Sequence, residues 1–190
     1  DPKLPYTCLL SHDNETPARF VRDMEIISKQ VFPKVVTGWY QAPDKKHWPA
    51  AANWAFQSAS RYIAHFFPND SWLFLESDAT PIKSGWLQQL EAEHIKGGKP
   101  FTGHVVSFMG HPNGVAIYPP MVAMYSQDAM RVEETAWDVV IGATVDASLV
   151  HRANDIIRHC WNMDPDTREC TNGHGISPTF TSVQDVVSGV

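Results

Sequence analysis

The stretch SWLFLESDATP (Ser71–Pro81) decides the predicted fold. It begins as an apolar run without polar alternation, which is typical of a central strand covered on both faces. The run ends in two carboxylates, Glu76 and Asp78, and Pro81 then stops further strand pairing. Carboxylates two residues apart on an extended backbone point to the same side, so these two can share one divalent ion or one sugar-phosphate.

The rest of the chain alternates predicted strands with segments whose apolar residues recur at helical spacing. Strands are predicted at 6–10, 35–40, 72–75, 99–106 and 115–118, and helices at 17–30, 49–67, 86–95, 120–130 and 151–161. Pro49 suits the first turn of the second helix, and Gly97-Gly98 closes the third. The apolar positions of the second helix form one stripe, namely Trp54, Ala55, Ala59, Tyr62, Ile63 and Phe66. We therefore expect an α/β fold, a sandwich around a mostly parallel central sheet. Ligands bind at the carboxyl ends of the strands in such sheets, which is where Glu76 and Asp78 stand.

Length and composition restrict the class of protein. A chain of 190 residues suffices for one domain with a sizeable core, so we predict a single domain over 1–190 with a tail at 176–190. The sequence holds no long apolar run and no signal-peptide pattern, so we expect a cytoplasmic protein without a membrane partner. The formal charge of −6 argues against sequence-independent binding to duplex DNA, which needs a positive surface.

The pattern around the acids, WLFLESDATPIKSGWL (Trp72–Leu87), resembles the GT-A glycosyltransferases. In that fold a DxD motif at the end of a hydrophobic strand holds a metal on the pyrophosphate of a nucleotide-sugar. Here the motif reads Glu76-Ser77-Asp78, with Glu76 in place of the first Asp. The pattern looks most like small phage and bacterial glycosyltransferases, some of which are linked to sugar addition on modified DNA bases. The resemblance covers about residues 5–175, and 72–87 and 111–120 are its most specific parts.

The resemblance implies a set of site residues. It implies Mn²⁺ or Mg²⁺ held by Asp78, Glu76 and His174, and a general base at Asp138 or, in second place, Glu134. It also implies contacts with the donor or the mouth of the pocket at Ser11, His12, Asp13, Asn53, Glu76, Ser77, Asp78, His111 and Asn113. Trp39, Trp48 and Trp137 are candidates for aromatic walls around a base or a sugar.

Several of these residues, and residues beside them, also have an ordinary structural explanation. Asn14 or Thr16 would cap the following helix. Asn53 would be an exposed helical residue, and a carboxylate such as Asp138 near a helix start would complement the helix dipole. A structural zinc site is a further alternative for the C-terminal part, although its spacing matches no common zinc module. Its ligands would be His159, Cys160, Cys170 and His174.

The resemblance therefore implies an enzyme that transfers a sugar from a nucleotide-diphosphate sugar, a UDP-sugar first of all, to a hydroxyl acceptor. A hydroxymethylated pyrimidine in phage DNA is the acceptor that the related enzymes suggest. Two other functions would use the same residues. A metal-dependent phosphohydrolase would activate water with the same carboxylates, and a non-catalytic module would bind the nucleotide-sugar without turnover.

Overall fold

Strands and helices alternate along the computed structural model, which describes residues 5–41, 49–76, 79–105, 112–122, 124, 135–153 and 156–159. The described strands are Thr7–Asp13 (β1), Lys34–Tyr40 (β2), Trp72–Phe74 (β3), Ala79–Pro81 (β4), Phe101–Val105 (β5), Pro112–Tyr118 (β6), Val150–Arg152 (β7) and Ile157–His159 (β8). The described helices are Ala18–Val31 (α1), Ala50–Phe66 (α2), Trp86–Gly97 (α3) and Trp137–Thr144 (α4), and Ala147–Leu149 is a short 3-10 turn.

The chain divides into two compact units, each made of two separate segments. The first unit comprises Asp1–Asp70 and Pro120–Thr144, and the second comprises Ser71–Pro119 and Val145–Val190. The single domain over 1–190 stays a prediction, and its tail at 176–190 lies outside the described residues.

The first unit opens with β1, α1 and β2, as predicted. The two strands pair in parallel, from Thr7 opposite Lys34 to Asp13 opposite Tyr40. Parallel neighbours need a crossover connection, which α1 supplies. The carboxyl ends of β1 and β2 therefore lie side by side at one edge of this pair.

The helical periodicity of α1 correctly predicts the helix, but the apolar stripe remains accessible. Phe20, Met24 and Ile27 are 51%, 52% and 55% exposed. The buried residue of α1 is Ser28, which makes a side-chain hydrogen bond with Cys8 of β1. Burial raises the pKa of the Cys8 thiol, and this hydrogen bond opposes the shift. Cys8 is therefore a neutral, packed thiol at physiological pH.

Helices α2 and α4 supply the buried centre of the first unit. The Phe56 ring stacks on the Trp137 indole, with ring centroids 3.7 Å apart and planes within 4° of parallel. Both side chains are almost completely buried. Helix α2 begins after Pro49, as predicted from the preference of proline for the first turn.

The predicted apolar stripe of α2 was partly wrong. The stripe included Trp54 and Phe66, which are 37% and 57% exposed. The buried face instead carries three polar residues beside its apolar ones, namely Asn53, Gln57 and Ser60. Of these three, Ser60 has a local partner, since its hydroxyl donates to the Gln57 carbonyl at 3.0 Å.

The second unit contains a sheet in the order β3-β6-β5-β7 and a separate pair, β4 with β8. Helix α3 packs on β5 and ends at Gly98, whose positive φ of 57° and backbone bonds to His94 and Ile95 complete the predicted glycine C-cap. A buried cluster of Leu90, Ile117 and Ile156 lies between helix and strands.

The prediction of a mixed α/β chain is confirmed, but the described sheets are small and mixed in direction rather than mostly parallel. Two of the five described strand pairs are parallel, β1 with β2 and β5 with β7. Only residues 106–111 separate β5 from β6, which is too short for a helical crossover and favours an antiparallel pair. Within the described residues β3 pairs with β6 alone, so it lies at the end of its sheet rather than at the centre.

The helix predicted at 151–161 was also wrong. Apolar residues at 150, 153, 156 and 157 mimic helical spacing, yet this segment forms β7 and β8. Residue 151 pairs with Thr102 on the outer edge of β5, and β8 pairs with β4. Those two edges need partners for their backbone groups, and this requirement outweighs the local pattern. The helix predicted at 120–130 lies largely outside the described residues.

Among the helices of the described residues, none combines the length and the apolar content that a membrane crossing requires.

Candidate functional site

The carboxyl end of β1 carries Ser11, His12 and Asp13, three of the predicted site residues. Asp13 Oδ1 accepts hydrogen bonds from the Glu15 amide at 3.0 Å and the Thr16 hydroxyl at 2.8 Å. His12 Nδ1 donates to the Asp13 carbonyl at 2.7 Å, since a carbonyl oxygen can only accept. Asp13 thus organises the loop before α1.

The predicted cap by Asn14 or Thr16 was wrong, because α1 begins after Pro17 without a side-chain cap. Thr16 instead uses its hydroxyl to bind Asp13, as described above.

The electrostatics of this edge keep Asp13 ionised. The hydrogen bond from the Thr16 side chain is the main cause that lowers the pKa of Asp13. Burial, and then the negative charge of Asp13, raise the pKa of the neighbouring Tyr40, which stays a neutral phenol. Beside them Trp39, the partner of His12 across the strands, is 68% exposed. An open indole opposite His12 suits a stacked base or sugar ring.

Asn53 has a definite structural role in the first unit. Its side chain is 2% exposed. The amide nitrogen donates to the Thr135 carbonyl at 3.0 Å, and the amide oxygen accepts from the Trp137 backbone N–H at 2.7 Å. The expected alternative, an exposed helical asparagine, is therefore wrong. Asn53 as a ligand of the donor stays a prediction, but these bonds already explain its identity.

The same two bonds determine where α4 begins. They hold the backbone on both sides of Ala136, whose carbonyl accepts from the amides of Val139 and Val140 at 3.1 and 3.2 Å. Asp138 lies in the first turn of α4, as predicted, is half-buried, and has Oδ1 3.0 Å from the Val139 amide. Asn53 is thus a positioning residue for the helix that carries the candidate base.

Trp137 as an aromatic wall was wrong, since its ring is 2% exposed and stacks on Phe56. Trp39 remains available for that role at its open edge, and Trp48 lies outside the described residues.

Glu76 belongs to the second unit and follows β3 directly, as predicted. Its side chain is half-buried, and its carbonyl accepts a hydrogen bond from the Ala79 amide at 3.0 Å. The residues on either side of Ser77 and Asp78 are thereby tied together between β3 and β4. A partly accessible carboxylate at the end of an apolar strand is chemically suited to a hard divalent cation.

Several predicted site residues cannot be placed. Ser77, Asp78, His111, Glu134 and His174 lie outside the described residues, and so do Cys160 and Cys170 of the zinc alternative. Asn113 is placed as a backbone position in β6. The described side chains, which do not include Asp78 and His174, contain no group of three His, Cys, Asp or Glu residues that could hold a metal ion.

Sequence reasoning missed a polar cluster that joins α3 to its sheet. His151 Nε2 lies 3.0 Å from Glu93 Oε2, and Lys96 Nζ lies 3.1 Å from Glu93 Oε1. The hydrogen bond with His151 is the main cause that lowers the pKa of Glu93. A Cβ on Gly97 would lie 2.3 Å from His151 Cγ, so the glycine is what lets the imidazole approach the helix. The signal in the sequence was a glycine in the last turn of a helix rich in Glu, His and Lys.

A second histidine lies in the same region. His94 Nδ1 is 2.8 Å from the hydroxyl of Thr102, which is fully buried on β5. Burial lowers the pKa of His94, with a smaller contribution from the charge of His151. His94 therefore acts as a neutral link between helix and sheet.

We compared the chain with protein-family models, with curated proteins and with solved structures, and none of them matched. A functional assignment therefore depends on the chemistry of the chain's own residues and on the motif around Glu76.

Proposed function

We propose that this protein is a metal-dependent glycosyltransferase of the GT-A type, which moves a sugar from a nucleotide-diphosphate sugar to a hydroxyl group. The observation that carries the proposal is the order of apolar strand, Glu76-Ser77-Asp78 and Pro81, with a half-buried Glu76 two residues beyond the end of β3. Strand ends of this kind deliver acidic groups to a ligand.

Two further features support the proposal. The parallel pair β1–β2 brings His12 opposite the open Trp39, a surface that suits a nucleoside. In the same unit Asp138 occupies the first turn of α4, whose start is held by Asn53. A carboxylate in a fixed position is what a general base requires.

The proposal includes the GT-A fold itself. The strand-helix-strand opening and the acid-bearing third strand agree with it. The separate pairing of β4, directly after the motif, with β8 near the described C-terminal end adds a small second sheet beside the acid residues.

The proposed roles follow from the chemistry of each residue. Asp78 and Glu76, with His174, would hold Mn²⁺ or Mg²⁺, since carboxylate oxygens are the ligands that hard cations prefer. Such an ion, when bound, offsets negative charge on the leaving diphosphate. Asp138, with Glu134 as the second candidate, would accept the proton of the acceptor hydroxyl. Asp13 would accept hydrogen bonds from sugar hydroxyls of the donor, a UDP-sugar in the first instance.

The first experiment is calorimetric titration with a panel of UDP- and other nucleotide-sugars, in Mn²⁺ and again with chelator. We expect one donor to bind in Mn²⁺ and to lose its affinity in chelator. Transfer is then tested on hydroxyl acceptors, beginning with DNA that contains hydroxymethylated pyrimidines.

The variant Asp78→Asn tests the metal role in the same assay. We expect it to reduce transfer about 100-fold or more, because a metal ligand supports several kcal/mol of charge stabilisation. Asp70→Asn, the same change at an exposed carboxylate outside the motif, should transfer normally. Full transfer by Asp78→Asn would contradict the metal role. Release of free sugar or phosphate without any acceptor would identify a phosphohydrolase, and binding without turnover or metal dependence would identify a binding module.

A further inference from the structure

A cleft of about 300 Å³ opens in the second unit, between α3 and the residues that follow β4 and β7. Ala153 and Ile156 line it and also pack in the buried cluster around Leu90, so the cleft has an apolar floor. The floor is held by two backbone hydrogen bonds of 3.0 Å, from Ile82 to Ile156 and from Ala153 to Gly103. It is therefore preformed by the fold of this unit alone.

The remaining walls are polar and carry two available cations. Lys83 and Arg152 line the cleft, both are exposed, and neither makes an ion pair with another described residue. Glu93 also lines it, but its two carboxylate oxygens are engaged by Lys96 and His151. Two cations that have no ion-pair partner among the described residues therefore line one small cleft, in a chain whose formal net charge is −6.

We infer that this cleft binds the phosphate ester of a small organic molecule. The phosphate group lies between Lys83 and Arg152, and the organic part lies on Ala153 and Ile156. The planar guanidinium of arginine matches phosphate oxygens in pairs, and lysine adds a second point charge. A doubly charged phosphate uses both cations, whereas a monocarboxylate satisfies only one. The volume lies at the lower end of the range for small-molecule sites, so the ligand is smaller than a complete nucleotide-sugar.

This site does not depend on the proposed glycosyltransfer. It needs neither Asp78 nor a metal ion, because side chains of the chain supply all of the positive charge. Binding at the cleft and binding of a nucleotide-sugar donor are therefore separable, since a chelator is expected to remove the second and leave the first intact.

The test is calorimetric titration of the full chain with glucose phosphate and with inorganic phosphate, in buffer that contains chelator. Backbone amide NMR shifts locate the bound ligand. We expect glucose phosphate to bind more tightly than phosphate, with shifts at Gln89, Glu93 and Ala153, while glucose and acetate, a monocarboxylate, give no comparable effect. Added salt should weaken binding because both cations are exposed.

Three variants address the residues. Lys83→Gln and Arg152→Gln should each lower the affinity about tenfold or more, since each removes a charge-assisted hydrogen bond. Ala92→Leu keeps the charge and fills the cleft from the helix side, so it should abolish binding. Arg22→Gln makes the same change of charge on α1 in the other unit and should bind normally.

Circular dichroism and the midpoint of thermal unfolding show that each variant is folded. The inference is overturned if glucose phosphate does not bind, if acetate binds equally well, or if the folded variants at positions 83, 92 and 152 retain the affinity of the parent chain.

Discussion

Two contacts in this molecule join a helix to a neighbouring element, and they do so with different chemistry. In the first unit α2 is joined to α4 by the stacked rings of Phe56 and Trp137 and by the buried Asn53 amide. In the second unit α3 is joined to β7 by the pair of Glu93 with His151, whose side chains are 34% and 24% exposed. A hydrogen bond that is shielded from water is costly to lose, while a polar contact between water-exposed side chains contributes less. The first contact should therefore determine stability, and the second should mainly determine how stability changes with pH.

The largest effect is expected from Phe56→Ala. Removing a fully buried ring leaves a cavity under Trp137, so the free energy of unfolding should fall by about 4 kcal/mol. Phe66→Ala removes the same side chain from the same helix, where it is 57% exposed, and should cost about 1 kcal/mol or less. Denaturant unfolding measures both changes. Equal losses would show that the stacked contact is not a centre of stability.

The next effect is expected from Asn53→Ala. It deprives the Thr135 carbonyl and the Trp137 N–H of their partner, and a buried group without a partner costs about 1–3 kcal/mol. We expect a total loss of about 3 kcal/mol in denaturant unfolding. Gln30→Ala, which truncates an exposed amide on α1, is the matched control and should be nearly neutral. A loss below about 1 kcal/mol for Asn53→Ala would mean that the start of α4 does not depend on this side chain.

The smallest effect is expected from Glu93→Gln, and it should depend on pH. The pKa of Glu93 is lower in the folded chain than its ordinary value of 4.5, mainly through His151, so folding favours the ionised form. This contribution is present above pH 4.5 and is lost as the pH falls through the folded pKa. The stability advantage of the parent chain over the variant should therefore shrink as the solution is acidified below pH 4.5.

Thermal unfolding of both proteins over a series of pH values measures this difference. Asp23→Asn, which neutralises an exposed carboxylate on α1, should run parallel to the parent chain. A difference between Glu93→Gln and the parent chain that stays constant with pH would show that the ionised form of Glu93 does not contribute to stability through its hydrogen bond with His151.

The sequence predicted the local elements well and their surroundings less well. Pro49, the Gly97-Gly98 pair and the strand end at Glu76 act through backbone geometry within a few residues, so their effects were predictable. The exposure of Phe20 on α1 and the polar buried face of α2 depend on what covers each helix. Periodicity cannot reveal that, because it reports which residues share a face and not which face is covered.

The candidate site shows the same division. Glu76 after β3 and Asp138 in the first turn of α4 were predictable, since both depend on where an element begins or ends. The role of Asn53 was not, because its partners at Thr135 and Trp137 are more than 80 residues away in sequence. The cation pair of Lys83 and Arg152 was missed for the same reason, as the two lie on separate segments of the second unit.

The distance in sequence between Asn53 and Trp137 has a consequence for how the chain is made. The two residues are 84 positions apart, so α2 leaves the ribosome well before the segment that covers it. At about 5–20 residues per second, several seconds pass between the synthesis of Asn53 and Phe56 and the synthesis of their partners. The buried centre of the first unit can be completed only after the segment around residue 137 has been made. A nascent chain arrested before residue 135 should accordingly be open to protease and chaperone at α2.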